Sequence, residues 1–184
     1  GERVQGLGLI AREASFSLVE LARWLAEALR IRRPDVILTH PYEGGHPDHD
    51  ATAFAVHAAC RLLRHEGTTP PALVEMTSYH LRAGALTTYE FLPNGEGPVI
   101  TVRLGMEERF LKRRMVECHA TQQQVLDHFP IDIERFRPAP RYDFARPPHP
   151  GRLYYEQFDW GLTGARWRAL AADALAALRL VGPI

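Results

Sequence analysis

The chain has 184 residues, 46% of them hydrophobic, and its 22 basic and 22 acidic side chains leave a formal charge of zero. That length and apolar content suit one domain over residues 1–184 with a sizeable core, and they exclude disorder. The charge balance argues against a nucleic-acid binder or a polybasic membrane-surface protein. No stretch reaches the roughly 18–20 apolar residues that span a bilayer. The sequence starts at Gly1 without a Met, and Gly1–Gly6 lacks the basic-then-apolar layout of a signal peptide. Cys60 and Cys118 both fall in expected helices. Two reduced thiols and a cytoplasmic location are therefore expected.

Helical spacing of Leu18, Leu21, Ala22, Leu25, Ala28 and Leu29 predicts a first helix over residues 17–30. Ser17 and Glu20 fit a capping box, and Pro34 stops the helix. The run Asp35-Val36-Ile37-Leu38-Thr39 reads as a buried parallel strand. A polar, glycine-bearing loop follows over 40–49, then a helix over about 50–65. Strands are predicted over 72–80 and 98–104, separated by turn chemistry at Pro93-Asn94-Gly95-Glu96-Gly97. A third helix is predicted over 106–127, with acids first and bases a turn later. Residues 130–150 are rich in Pro and Arg and read as an irregular surface segment, before a last helix over 163–180. The helix–strand–helix order at the front indicates an α/β domain with parallel strands.

The chemistry concentrates in Thr39-His40-Pro41-Tyr42-Glu43-Gly44-Gly45-His46-Pro47-Asp48-His49-Asp50, which holds three of the nine histidines. In open α/β sheets, ligands bind beyond the carboxyl ends of strands, where this loop is expected to lie. Gly44-Gly45 lets the backbone turn and approach a ligand closely, and Pro47 stiffens the frame that carries His46 and His49. Imidazoles here can bind metal or move protons, and a carboxylate between them can orient a ring. Simple capping of a helix start is the competing reading. Tyr42 and Glu43 share the loop and are candidates to touch substrate, or are solvated loop residues. His57, His65, His119 and His149 read as structural. Trp24 and Trp167 sit in helices and read as packing residues, and Trp160 is free to stack on a sugar.

The segment from Arg33 to Pro41, then Gly45-His46-Pro47-Asp48-His49 and the helix that follows, resembles the PIG-L/LmbE-like N-deacetylases. Weaker likeness extends to His119-Ala120-Thr121-Gln122 and to Tyr154-Tyr155-Glu156-Gln157-Phe158. The resemblance implies a Rossmann-like three-layer fold, a parallel sheet with helices on both faces. It implies a zinc-dependent hydrolase that removes an N-acetyl or N-acyl group from a glucosamine-type sugar or glycoconjugate. His49 maps onto a zinc ligand. His46 maps onto the residue that stabilises the oxyanion or protonates the leaving amine, and Asp48 onto its orienting partner. Gly45, with Tyr42 and Glu43, would lie against the substrate. A homo-oligomer is also possible by this likeness.

One departure is large. The family's early His-Pro-Asp-Asp motif, which supplies further zinc ligands and the general base, has no counterpart in the chain. The N-terminal strand and its crossover are expected to be missing from this sequence. A fragment, a paralogue that has kept a carbohydrate-binding or structural role, and a site completed by another chain are the three readings of that departure.

Overall fold

In the computed structural model, residues 5–93 and 97–184 are described. Asn94, Gly95 and Glu96 of the expected turn, and residues 1–4 of the signal reading, lie outside them. Helix α1 (Leu18–Arg32) buries Leu18, Ala22, Ala26 and Leu29, a stripe at helical spacing. Arg33 ends it in the left-handed region with φ 45°, its amide donating to the Leu29 carbonyl. The Ser17 side chain makes no cap bond, so the expected capping box does not form. Strand β1 (Val36–Thr39) leads through the histidine loop into α2 (Pro47–His65). This helix starts earlier than expected because His46 is its N-cap and Pro47 its first residue, a position where a missing N–H costs nothing.

The strand expected over 72–80 is two strands. β2 (Ala72–Met76) joins the main sheet, and β3 (Tyr79–Arg82) pairs antiparallel with β4 (Ala85–Thr88) in a separate hairpin. Ala83 and Gly84 close that hairpin with φ 52° and 83°, the left-handed pair that suits the twist of the strands. β5 (Ile100–Arg103) follows. The long third helix is also broken: α3 (Met106–Glu117) is followed by a 3-10 turn at Ala120–Gln122 and the short α4 (Gln123–Leu126). β6 (Ile133–Pro138) lies inside the segment expected to be irregular. Helix α5 (Gly164–Ala177) closes the chain's secondary structure, capped by the Thr163 hydroxyl, which accepts from the Arg166 amide at 3.2 Å.

The main sheet has the order β1-β2-β6-β5. Only β1 and β2 run parallel; β2–β6 and β6–β5 are antiparallel. The α/β class holds, and the all-parallel sheet does not. The cause is β6, a strand in an Arg- and Pro-rich stretch whose apolar Ile133 and Phe136 fall on opposite faces, so that no period-of-two pattern marks it in the sequence. Arg137 tolerates an inner strand because it is buried against Glu75 of β2 at 2.9 Å and donates to the Leu92 carbonyl at 2.9 Å. The Tyr142 hydroxyl completes the group, donating to Glu75 at 2.7 Å and accepting from Arg137 at 3.1 Å.

Helices α1 and α2 cover one face of the sheet. Ile37 and Leu73 pack there on Ala26, Leu29, Ala59, Cys60 and Leu63. A larger core, with Tyr42, Phe54, Phe144, Trp167 and Ala171, fills the space between α2 and α5. On the other face Val36, Leu38, Ile100 and Val102 remain 42–56% exposed. β1 is therefore half-exposed rather than buried. Helix α3 has no buried residue, and among the described residues no helix covers this face. The expected helices on both faces are thus met on one. No described helix is long and apolar enough to cross a membrane.

Candidate functional site

The site loop follows the carboxyl end of β1. Gly44 has φ 72°, and a Cβ on Gly45 would stand 1.9 Å from the Tyr79 carbonyl oxygen. The backbone therefore runs directly against β3, and only glycine fits. Asp50, one turn into α2, holds the loop from below. Its fully buried carboxylate accepts from the amides of Glu43 at 3.2 Å and Gly44 at 3.1 Å. Burial pushes the Asp50 carboxyl well above its ordinary range, further than those two bonds bring it back.

His46 has the extended backbone of an N-cap, and its Nδ1 accepts from the Asp48 amide at 3.1 Å. With Nδ1 an acceptor, the neutral ring carries its proton on Nε2. The side chain keeps 21% of its exposure, so the ring is held and still reachable. Burial lowers the His46 pKa; Asp48 opposes this and Arg12 adds to it. The Asp48 carboxylate points elsewhere. It accepts from the Arg12 amide at 2.6 Å and the Ala14 amide at 3.3 Å, and stands 4.0 Å from His46 Nδ1. The aspartate thus holds the ring through its amide and the segment over 12–14 through its oxygens.

His49 lies deeper. Its Nδ1 is 3.2 Å from the Ser78 hydroxyl, and its ring stacks on His40 at 4.0 Å with 3° between planes. The His46 ring is 5.1 Å away. Burial, with the neighbouring rings of His40 and His46, pushes His49 well below its ordinary value, and burial takes His40 down to about 4. Both rings are neutral at physiological pH, the form in which imidazole binds metal.

Residues 2–60 match the family model of PIG-L, described as GlcNAc-PI de-N-acetylase. The likeness read from the His-Pro-Asp-His motif therefore holds over α1, β1, the site loop and α2 up to Cys60. No curated protein and no solved structure matches the chain.

The PIG-L resemblance implies a zinc ion near His49. Among the described residues no three His, Cys, Asp or Glu side chains are placed to hold a metal ion. The stacking of His40 on His49 gives one reason. An imidazole binds a metal in its ring plane at about 2.0–2.1 Å, and no ion can lie in two parallel planes at once. With centroids 4.0 Å apart in near-parallel stacked planes, the His40 and His49 rings are not arranged to ligate one ion in plane. The described residues do not fit a self-contained zinc centre, and His49 stands as a single donor.

Tyr42 and Glu43 are neither solvated nor presented outward. Tyr42 is 2% exposed, packs on Trp167 at 5.1 Å and Phe144 at 4.9 Å, and donates its hydroxyl to the Arg146 carbonyl at 2.8 Å. Glu43 is equally buried, with Oε2 3.0 Å from His80 Nδ1. Both fix the loop from behind, and Gly45 is the loop's closest approach to β3. Ser78 and His80 are site neighbours that the sequence reading does not single out. Both sit where one unbroken strand is expected, and no spacing links them to the motif.

Proposed function

We propose that the chain contributes the His-Pro-Asp-His side of an amide hydrolase that removes an N-acyl group from a glucosamine-type sugar or conjugate. The observation that carries this reading is the His46 ring, held at Nδ1 by the Asp48 amide at 3.1 Å and still partly open to solvent. A neutral imidazole in that posture is a fixed N–H donor. We assign its Nε2–H to the acyl oxygen, on which negative charge develops as water adds to the carbonyl carbon. The oxyanion role suits this ring better than proton delivery to the amine. An imidazolium would need a proton on Nδ1, where the Asp48 N–H already points. Asp48 and Asp50 serve as positioning residues for that donor. His49 is the proposed zinc donor, and a full ligand set needs groups beyond the described residues. Reduced Cys60 and Cys118 are in keeping with a cytoplasmic setting.

Acetate release from N-acetylated glucosamine derivatives tests the reading. His46→Ala is expected to lower turnover about 10²–10³-fold, the cost of one oxyanion donor, with the fold intact by circular dichroism. Because burial lowers the His46 pKa, turnover should persist as pH falls through the ordinary value of 6.5 and fail only below it. A rate that climbs on acidification through that value would show that the cation is the active form and sink the assignment.

A second reading is favoured by the lack of a three-donor set among the described residues. It makes the chain a carbohydrate-binding or structural module without catalysis. It predicts glycan binding with no acetate release, measured on the same preparation.

A further inference from the structure

Glu43 and His80 take no part in the reaction proposed above, and both are buried, at 2% and 1% exposure. Glu43 Oε2 and His80 Nδ1 lie 3.0 Å apart, so one proton sits between them. Burial pushes the Glu43 carboxyl up, against the pull of His80, Arg137 and the Tyr79 amide. Such a pair stabilises a fold no better than apolar residues of similar volume. What apolar residues lack is direction, because a buried N–H···O bond accepts one register and rejects its neighbours.

The place of the pair shows which register it fixes. Three consecutive residues where β3 begins meet the histidine loop. Ser78 Oγ is 3.2 Å from His49 Nδ1, the Tyr79 carbonyl oxygen leaves no room for a Cβ on Gly45, and His80 holds Glu43. The β3–β4 hairpin pairs with no strand of the main sheet, so no ladder sets its height against β1 and α2. The contact of Tyr79 with Gly45 is steric and only pushes. The bond between Glu43 and His80 pulls, and it lies where water cannot compete for it.

We propose that Glu43 and His80 are positioning residues for the His-Pro-Asp-His motif: their hydrogen bond locks the loop in one register against the β3–β4 hairpin, and that register aims the His46 ring. The lock stands on this geometry, and its effect on turnover rests on the hydrolase reading.

Variants at position 80 test the lock in the 184-residue chain. The side-chain amide of Asn places an N–H near the position of Nδ1, and that of Gln places it near Nε2. Imidazole nitrogen NMR reads the His46 ring with no substrate present. In the wild type and in His80→Asn the ring should show one tautomer, protonated at Nε2. In His80→Gln, and in the double variant Glu43→Met/His80→Leu, it should show both tautomers in exchange. The urea midpoint of the double variant should match or exceed that of the wild type, as for an apolar replacement of a buried pair. In acetate release from N-acetylated glucosamine derivatives, kcat should fall about tenfold or more in those two variants with KM unchanged, and His80→Asn should keep it. One fixed His46 tautomer in every variant, or tautomers mixed alike in His80→Asn and His80→Gln, overturns the lock. If the double variant fails to fold, the contrast between Asn and Gln decides alone. A wild-type chain that releases no acetate but shows the expected tautomers loses the hydrolase reading and keeps the lock. Equal turnover in all variants with an unchanged His46 ring does the reverse.

Discussion

The two faces of the main sheet are made of similar residues and have different fates. On one, Ile37 and Leu73 are half-buried against Ala26, Leu29, Ala59, Cys60 and Leu63. On the other, Val36 and Leu38 of the same β1 strand stay more than half exposed, at 56% and 53%. Alternation along the strand divides the two sets, and nothing in the identity of the side chains does. The histidine loop belongs to the covered side. Its glycines, Asp50 and Tyr42 are all pinned by α2, α5 and the β3 backbone. Rigidity of the site is therefore bought on one side of the sheet only.

That comparison is open to being broken by substitution. Trp167→Ala, on the covered side, removes a fully buried ring that touches Tyr42 and Phe144, and should cost about 3–5 kcal/mol in urea unfolding. A loss below 1 kcal/mol would mean that the covered core is far softer than its burial indicates. Next in size is Arg137→Met, about 3 kcal/mol at alkaline pH, because Glu75 is left buried without its cation. Burial already raises the Glu75 pKa to about 7, against Tyr142 and Arg137, which pull it down. A raised acid contributes stability that is full below its ordinary value of 4.5 and is lost as pH rises through about 7. The variant should therefore lie closest to the wild type in mild acid and fall away above neutrality, which unfolding at several pH values will show. Smallest is Leu38→Ser on the bare face, expected within about 0.5 kcal/mol of the wild type. A large loss there would show that something covers this face in solution.

The same contrast explains what the sequence could disclose. Helices α1 and α2 were legible because their apolar positions recur at helical spacing over many residues, and the site because three histidines crowd one loop. β6 was not, since its apolar residues are interleaved with Arg and Glu. What makes Arg137 acceptable there is Glu75, a long-range partner that no local window contains. The break at Ser78 was likewise invisible, being set by how β3 meets the glycine loop. Within the site, the motif places His46, Asp48 and His49 on one loop, but the bonds of the Asp48 carboxylate to the Arg12 and Ala14 amides lie 34 or more residues away in sequence and could not be read from it. The Tyr42 and Glu43 side chains turn into the core because aromatic partners and His80 wait there, and these come from distant parts of the chain.

Asp48 fastens two stretches of backbone at once: its amide holds the His46 ring, and its oxygens hold the amides of Arg12 and Ala14. A ligand that tugs on the imidazole must therefore strain the strap around residue 12 as well. The strap is a built-in tell-tale: a small fluorophore attached at Ala11, next to that strap, will register occupancy of the loop without touching it.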